Sequence, residues 1–195
     1  MGWLGIEDEA FIRGNVPMTK QEVRILMLAK AHIAPNAVVY DIGAGTGSLS
    51  IEAARLAPKG HVFAIERKTE GISLLRANME KFAVSNITPM QAEAPDGLVG
   101  LPAADAVLIG GSGGNLAAIL DVVTAKLPLG GRVVVSAITM QSLMQAITYM
   151  RAHARTYHYE AVQVQINRLE QVGRYDMAKA INPIYILTGT KGEWV

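Results

Sequence analysis

Val38-Val39-Tyr40-Asp41-Ile42-Gly43-Ala44-Gly45-Thr46-Gly47-Ser48-Leu49-Ser50-Ile51 joins an apolar run, a glycine turn and the start of a helical segment. The run 38–42 is apolar apart from its end, as expected of a strand in the middle of a parallel sheet, where both faces are covered. Three glycines at alternate positions let the backbone turn through conformations barred to other residues, and let a ligand approach without meeting a Cβ. An acid, Glu66, closes the next apolar run. Together these features predict a βαβ unit that cradles a nucleotide-type cofactor.

The same alternation continues along the chain. Thr19-Lys20-Gln21-Glu22 fits a capping box ahead of an apolar helix face at 23–31. Helices are predicted at 48–57, 69–83, 115–127 and 140–153, and strands at 61–66, 87–92, 104–110 and 132–137. Late in the chain 159–169 and 184–190 alternate as strands do, joined through Gly173-Arg174-Tyr175-Asp176 and Asn182-Pro183, which predicts an antiparallel hairpin. Right-handed crossovers then imply an α/β fold: a doubly wound, mostly parallel seven-stranded sheet with an antiparallel last strand, and ligands at the carboxyl ends of the strands. That is the Rossmann-like architecture of class I methyltransferases. Residues 1–18 read as an amino-terminal arm, turn-rich at Gly2, Gly5, Gly14 and Pro17, with Trp3, Leu4, Ile6, Phe11 and Ile12 available for docking. A single domain over 1–195 is expected, with the arm packed on it.

Composition narrows the function classes. The chain is 50% hydrophobic and only 18% charged, which leaves few charges to coat a lone monomer and favours self-association. A formal net charge of +1 supplies no global field for nucleic acid or an anionic membrane. Cysteine is absent, which excludes disulfides and thiolate chemistry. No stretch approaches the roughly 18 apolar residues of a membrane span, and the amino terminus lacks a secretory pattern. A cytoplasmic protein is expected.

A dinucleotide site calls for G-x-G-x-x-G, with the pyrophosphate on the helix amino terminus. This turn has Gly43-x-Gly45-x-Gly47, with Asp41 two residues before the first glycine and no basic residue to answer a phosphate. The D-x-G-x-G-x-G spacing resembles the first motif of S-adenosylmethionine (SAM)-dependent methyltransferases. SAM carries an amino group, a ribose diol and a sulfonium instead of phosphate, so nearby acids favour it. Glu66 is placed to accept both ribose hydroxyls. Glu93-Ala94, after the third strand, is placed to border the adenine, with a solvated loop acid as the other reading of Glu93.

Beyond the first motif, four blocks resemble the decarboxylating precorrin methyltransferases of cobalamin biosynthesis. They are Gly5-Ile6-x-Asp8-Glu9-x-Phe11-x-Arg13, Pro17-Met18-Thr19-Lys20-x-Glu22-Val23-Arg24, Asp41 through Ser48, and Gly110-Gly111-Ser112-Gly113-Gly114. The arm and the glycine-serine segment carry the specificity, and the likeness spans nearly the whole chain. The resemblance implies SAM contacts at Thr19, at Gly43, Ala44, Gly45, Thr46 and Gly47, at Glu66 and at Ala94; an aspartate often stands at the Glu66 position in the family. For Thr19 the capping role remains an alternative. The resemblance also implies a homotetramer and methylation of carbon 15 of a corrinoid precursor, coupled to loss of CO2 from a ring acetate. Cobalt-precorrin-6B, with precorrin-6B as the other reading, is the implied substrate, because in the aerobic route this domain is usually fused to a second methyltransferase.

Methyl transfer of this kind asks the protein mainly to position two reactants, so no catalytic dyad is required. The segment 110–115, with Gly111, Ser112, Gly113 and Gly114, is expected as a floor for the macrocycle; a plain helix-entry loop capped by Ser112 or Asn115 is the other reading. A precursor bearing several carboxylates calls for cations, and the candidates are Arg13, Lys20, Arg24, Arg168, Arg174 and Lys179, each alternatively a solvated surface charge. His153, Arg155 and His158, with Tyr157 and Tyr159, form a basic-aromatic patch that complements a helix carboxyl end, and no protein metal site is expected. Two other functions share the cofactor motif: methylation of RNA or protein, and SAM binding without catalysis. The near-neutral charge and the absence of an Asn-Pro-Pro-Tyr type motif after the fourth strand oppose the first of these.

Overall fold

The computed structural model describes residues 4–194. Gly2 and Trp3, at the start of the expected arm, lie outside the described residues. Strands β1 (Val38–Ile42), β2 (His61–Glu66), β3 (Ile87–Gln91), β4 (Ala106–Ile109) and β5 (Arg132–Ala137) run parallel, with α2 (Ser48–Leu56), α3 (Thr69–Lys81) and α4 (Leu116–Lys126) among their connections. α1 (Gln21–Ala31) precedes β1 and α5 (Met140–Ala152) follows β5. The sheet order is β3-β2-β1-β4-β5-β9-β6. β9 (Ile184–Lys191) lies antiparallel between β5 and β6 (Tyr157–Val164). This is the seven-stranded, doubly wound sheet that the sequence predicts.

Strand alternation divides the core into two layers. Val39, Val62 and Leu108 pack with Met27, Leu28, Ile51 and Leu75 of α1, α2 and α3. Tyr40, Ile42 and Val107 pack with Leu120, Val123, Ala146 and Met150 of α4 and α5. Each fully covered Leu, Ile or Val contributes roughly 1.5–3 kcal/mol. Successive strands run from β1 out to β3 on one side, and the chain then returns to lay β4 on the other side of β1. The order therefore reverses between β1 and β4, which opens a crevice at their carboxyl ends.

The late part of the chain differs from expectation. Val164 pairs with Ile184 and Tyr157 with Lys191, so the predicted pairing of two late strands is present. The first of them stops at Val164, and a second hairpin, β7 (Asn167–Val172) and β8 (Tyr175–Ala180), fills the connection as a separate two-stranded sheet. Val172 pairs with Tyr175 across Gly173-Arg174, the two-residue loop length that favours a hairpin. Its strands lack a clear apolar face, which hid them from an alternation reading.

The capping box at Thr19 is not formed. Lys20 takes the cap position of α1 without a side-chain bond. Asp8 Oδ1 instead accepts the Gln21 N–H at 3.0 Å, and Glu22 turns away to Arg168. A buried cluster explains the exchange. The Arg24 guanidinium is fully buried and donates to Asp8 at 2.8 Å and to Glu52 at 2.9 Å. It also donates to the carbonyls of Ile6 and Thr19, and Glu52 accepts the Gly5 N–H at 2.6 Å. Burial opposes the charge on Asp8, but bonds from Arg24 and Arg168 outweigh it and hold the carboxyl below its ordinary range. The arm is thus bound to α1 and α2, with Phe11 buried against Phe82 and beneath Arg24. Arg24 is a structural cation and is withdrawn from the substrate-binding candidates, since two buried carboxylates and two carbonyls saturate it. Arg24→Met is expected to cost about 3–5 kcal/mol, the range for breaking a buried ion pair, read as a lowered urea midpoint.

Candidate functional site

Three strand ends converge at the crevice. Ile42 pairs with Ile65 on one side and Ile109 on the other. The Gly43 N–H donates to Ile65 O and the Gly110 N–H donates to Ile42 O, both at 2.9 Å. Gly43 has φ +76°, and a Cβ there would stand 2.6–2.9 Å from the backbone of Gly111. Only glycine permits the turns after β1 and β4 to approach so closely. Gly47 starts α2 at φ +78°, and a Cβ on it would meet Leu75 at 2.2 Å.

A cavity of about 390 Å³ opens over this junction, within the ordinary range for a ligand site. Its floor is Gly43, Ala44 and Gly45, continued by Ser48 and Leu49. Glu66, Glu93 and Ala94 form one side, and Gly111, Ser112 and Gly113 another. The arm supplies Val16 through Lys20, and the chain before β9 supplies Ile181 and Asn182.

Two acids beneath the turn have different duties. Glu66 is buried but lines the cavity; its Oε2 accepts the Gly45 N–H at 2.9 Å and its Oε1 the Lys68 N–H at 2.8 Å. Each oxygen keeps a further lone pair for a ligand. Asp41 is fully buried and does not line the cavity. Its Oδ2 accepts from the Ser50 hydroxyl, and its Oδ1 has no partner. Burial pushes the Asp41 carboxyl up to about 6, bonds from Ser50 temper this, and the Glu66 charge adds to it. Asp41, a cofactor-binding candidate in the sequence, therefore underlies the turn and does not reach the cavity lining.

Of the residues singled out in the sequence, Thr19, Gly43, Ala44, Gly45, Glu66, Glu93, Ala94, Gly111, Ser112 and Gly113 come together on the cavity. Thr46 and Gly47 are buried behind it, and Gly114 lies outside it, exposed. Asn115 leads into α4 without a side-chain cap. Glu93 faces Arg67 at 3.6 Å, both side chains being more than half exposed. Among the six cation candidates Lys20 alone lines the cavity. Arg168 is engaged by Glu22 at 2.7 Å and Asp8 at 3.1 Å, Lys179 by Glu170 at 2.9 Å, and Arg174 lies over Tyr175. Arg13 is exposed off the cavity. Sequence reasoning missed Arg67, Lys68, Ile138, Ile181, Asn182 and Ile184 on the lining; the first three directly follow the carboxyl ends of β2 and β5 and could have been found there, whereas nothing local ties the last three to such a strand end.

The precorrin methyltransferase domain matches residues 9–191. The chain belongs to this family. It is 41% identical, over 96% of its length and 97% of the relative's, to the cobalt-precorrin-6B C(15)-methyltransferase (decarboxylating) of Salmonella typhimurium. Among solved structures, the precorrin-6y C5,15-methyltransferase of Geobacter metallireducens matches with TM-score 0.91 and 39% identity, over 96% of this chain and 98% of that one. The precorrin 8W decarboxylase of Methanobacterium thermoautotrophicum matches with TM-score 0.89 and 32% identity, over 97% and 100%. As a precorrin methyltransferase, the chain places its family's glycine-serine segment directly against the first glycine turn.

Two outcomes test this geometry. Gly43→Ala should weaken S-adenosylhomocysteine binding by about tenfold or more, equivalent to at least about 1.4 kcal/mol, in calorimetry. Asp41, with its raised carboxyl, contributes stability that is full below its ordinary value and is lost as pH rises through about 6. Asp41→Asn should therefore gain stability relative to the natural protein, by on the order of 2–3 kcal/mol between about pH 4 and about pH 7, in urea titrations.

Proposed function

We propose that this chain transfers the methyl group of SAM to carbon 15 of cobalt-precorrin-6B and promotes loss of CO2 from the ring C acetate. The observation that carries the reading is the near full-length likeness to curated relatives of that name, combined with a cavity whose lining suits the cofactor. No helix among the described residues is long and apolar enough to cross a membrane, and we place the enzyme in the cytoplasm.

The lining fits SAM by its chemistry. A glycine cradle that one Cβ would close leaves room for the ligand at Gly43, and no basic residue stands in the turn to demand phosphate. Glu66 would hold the ribose hydroxyls with its two remaining lone pairs. The backbone of Gly43 through Gly45 and Thr19 would flank the methionine portion, and Ala94 with Glu93 would border the adenine. When bound, SAM supplies an electrophilic methyl group. The protein's work is to orient the acceptor carbon toward it and to keep water away. Gly111, Ser112 and Gly113 provide a flat, hydrogen-bonding face for a macrocycle, with Ile138, Ile181 and Ile184 as apolar contacts. Lys20, with Arg67 and Lys68 also on the lining, is a cation placed to meet a substrate carboxylate.

Leu169, Val172, Tyr175 and Met177 on the β7–β8 hairpin are each more than half exposed, which supports assembly into a homo-oligomer. We take the assembly to be a tetramer, and light scattering should return four times the chain mass. Incubation with methyl-labelled SAM and cobalt-precorrin-6B should yield both methylated corrinoid and CO2. Methylation of bulk tRNA with no change in the corrinoid would overturn the reading, as would SAM binding with neither product. Glu66→Ala should raise the SAM Kd by about 10–100-fold, from the roughly 1.5–3 kcal/mol carried by hydrogen bonds to a charged group.

A further inference from the structure

The β7–β8 hairpin stands apart from the main sheet, and every residue of its two strands is exposed except Arg168. Arg168 is covered because its guanidinium reaches back to the body of the protein. Its Nη2 donates to Glu22 Oε2 at 2.7 Å and to Asp8 Oδ2 at 3.1 Å, and its Nε donates to Glu22 Oε1 at 3.0 Å. Two parallel bonds to one carboxylate fix orientation as well as distance. The Glu22 carboxylate is held below its ordinary range, first by its bonds from Arg168.

Each end of this bridge lies close in the chain to residues that line the cavity. Glu22 lies in the first turn of α1, two residues after Lys20 and three after Thr19, both cavity-lining. On the other side, Asn167 pairs with Ala180, the Ile181 N–H donates to Ile166 O at 2.9 Å, and Gln165 Nε2 donates to Ile181 O at 3.0 Å. Ile181 and Asn182 are thereby coupled to the strand that carries Arg168, and both line the cavity. The bridge thus ties the segment that leads to Thr19, Lys20 and Val23 to the segment that leads to Ile181, Asn182 and Ile184, all six of which line the cavity.

We infer that Arg168 is a positioning residue that latches the β7–β8 hairpin to Glu22 and Asp8, and so seats Ile181 and Asn182 as the acceptor-side wall of the active site. The inference rests on the proposed function for the identity of the acceptor. The glycine turn and Glu66 are built from other elements, and Thr19 remains held through its carbonyl by Arg24, so SAM binding does not depend on the latch. Removing Arg168 leaves the Arg24 bonds to Asp8 and Glu52 in place and returns the Glu22 side chain, 40% exposed, to water, while the buried Asp8 Oδ2 loses its charged partner.

Arg168→Met should raise KM for cobalt-precorrin-6B by about tenfold, with kcat and the S-adenosylhomocysteine Kd each within about twofold, the pattern of lost uniform substrate binding. Amide hydrogen exchange at Ile181 should accelerate, and Arg168→Lys, which keeps one charged contact, should recover most of the KM. An unchanged KM in an active protein overturns the latch. So does a Lys variant no better than Met, or a loss of cofactor affinity and melting temperature as large as the loss in KM. Should the natural protein fail to methylate the corrinoid, the functional reading fails; exchange at Ile181, which needs no substrate, then decides the latch, with unaltered exchange overturning it.

Discussion

A buried guanidinium determines how this molecule closes. Arg24 sits among Asp8, Glu52 and two backbone carbonyls, its side chain fully buried. Removing any one partner strands the others in a poor dielectric, so the cluster forms as a whole or not at all. Its geometry dictates that the arm crosses α1 and α2, and this route delivers residues 16–20 to the mouth of the crevice. The cavity therefore has a wall made by a segment without regular structure, held in place by charge pairing deep beneath it.

Opposite that wall, the site relies on the parallel sheet. The order reversal between β1 and β4 opens the crevice, and the glycines on each side allow two backbone turns to meet with only van der Waals space between them. Acids at neighbouring strand positions divide the labour by exposure. Glu66 keeps access to the cavity and has its charge supported by two backbone N–H groups. Asp41 is sealed below, where burial favours its protonated form. A methyl donor that arrives with its own positive charge needs an acceptor-rich floor and an oriented partner more than it needs a strong base, and the lining reflects that.

The sheet, its two helical layers, and the glycine turn and strand-end acid that line the cavity were legible in the sequence. Apolar runs bounded by glycine and polar residues mark strands whichever partners they find, and an acid at a strand end is local information. Thr19 and Glu22 show where such reading stops. Their spacing fits a capping box, yet Asp8 and Arg168, 14 and 146 residues from Glu22 in the chain, supply better partners. Arg24 resembles any helix-surface arginine until the arm folds over it.

By itself, then, the sequence determined the doubly wound, mostly parallel sheet with its antiparallel last strand, the glycine turn after the first strand, and through its arm and glycine-serine blocks the family. Tertiary structure alone decided which charges are spent inside the protein, which of the candidate lysines faces the cavity, and that a second hairpin is tied to Glu22 and Asp8 through Arg168. The division has a physical cause. Backbone conformation and hydrophobic period are properties of neighbouring residues, whereas the fate of a charged side chain depends on the opposite charges and the water left around it once distant segments have packed.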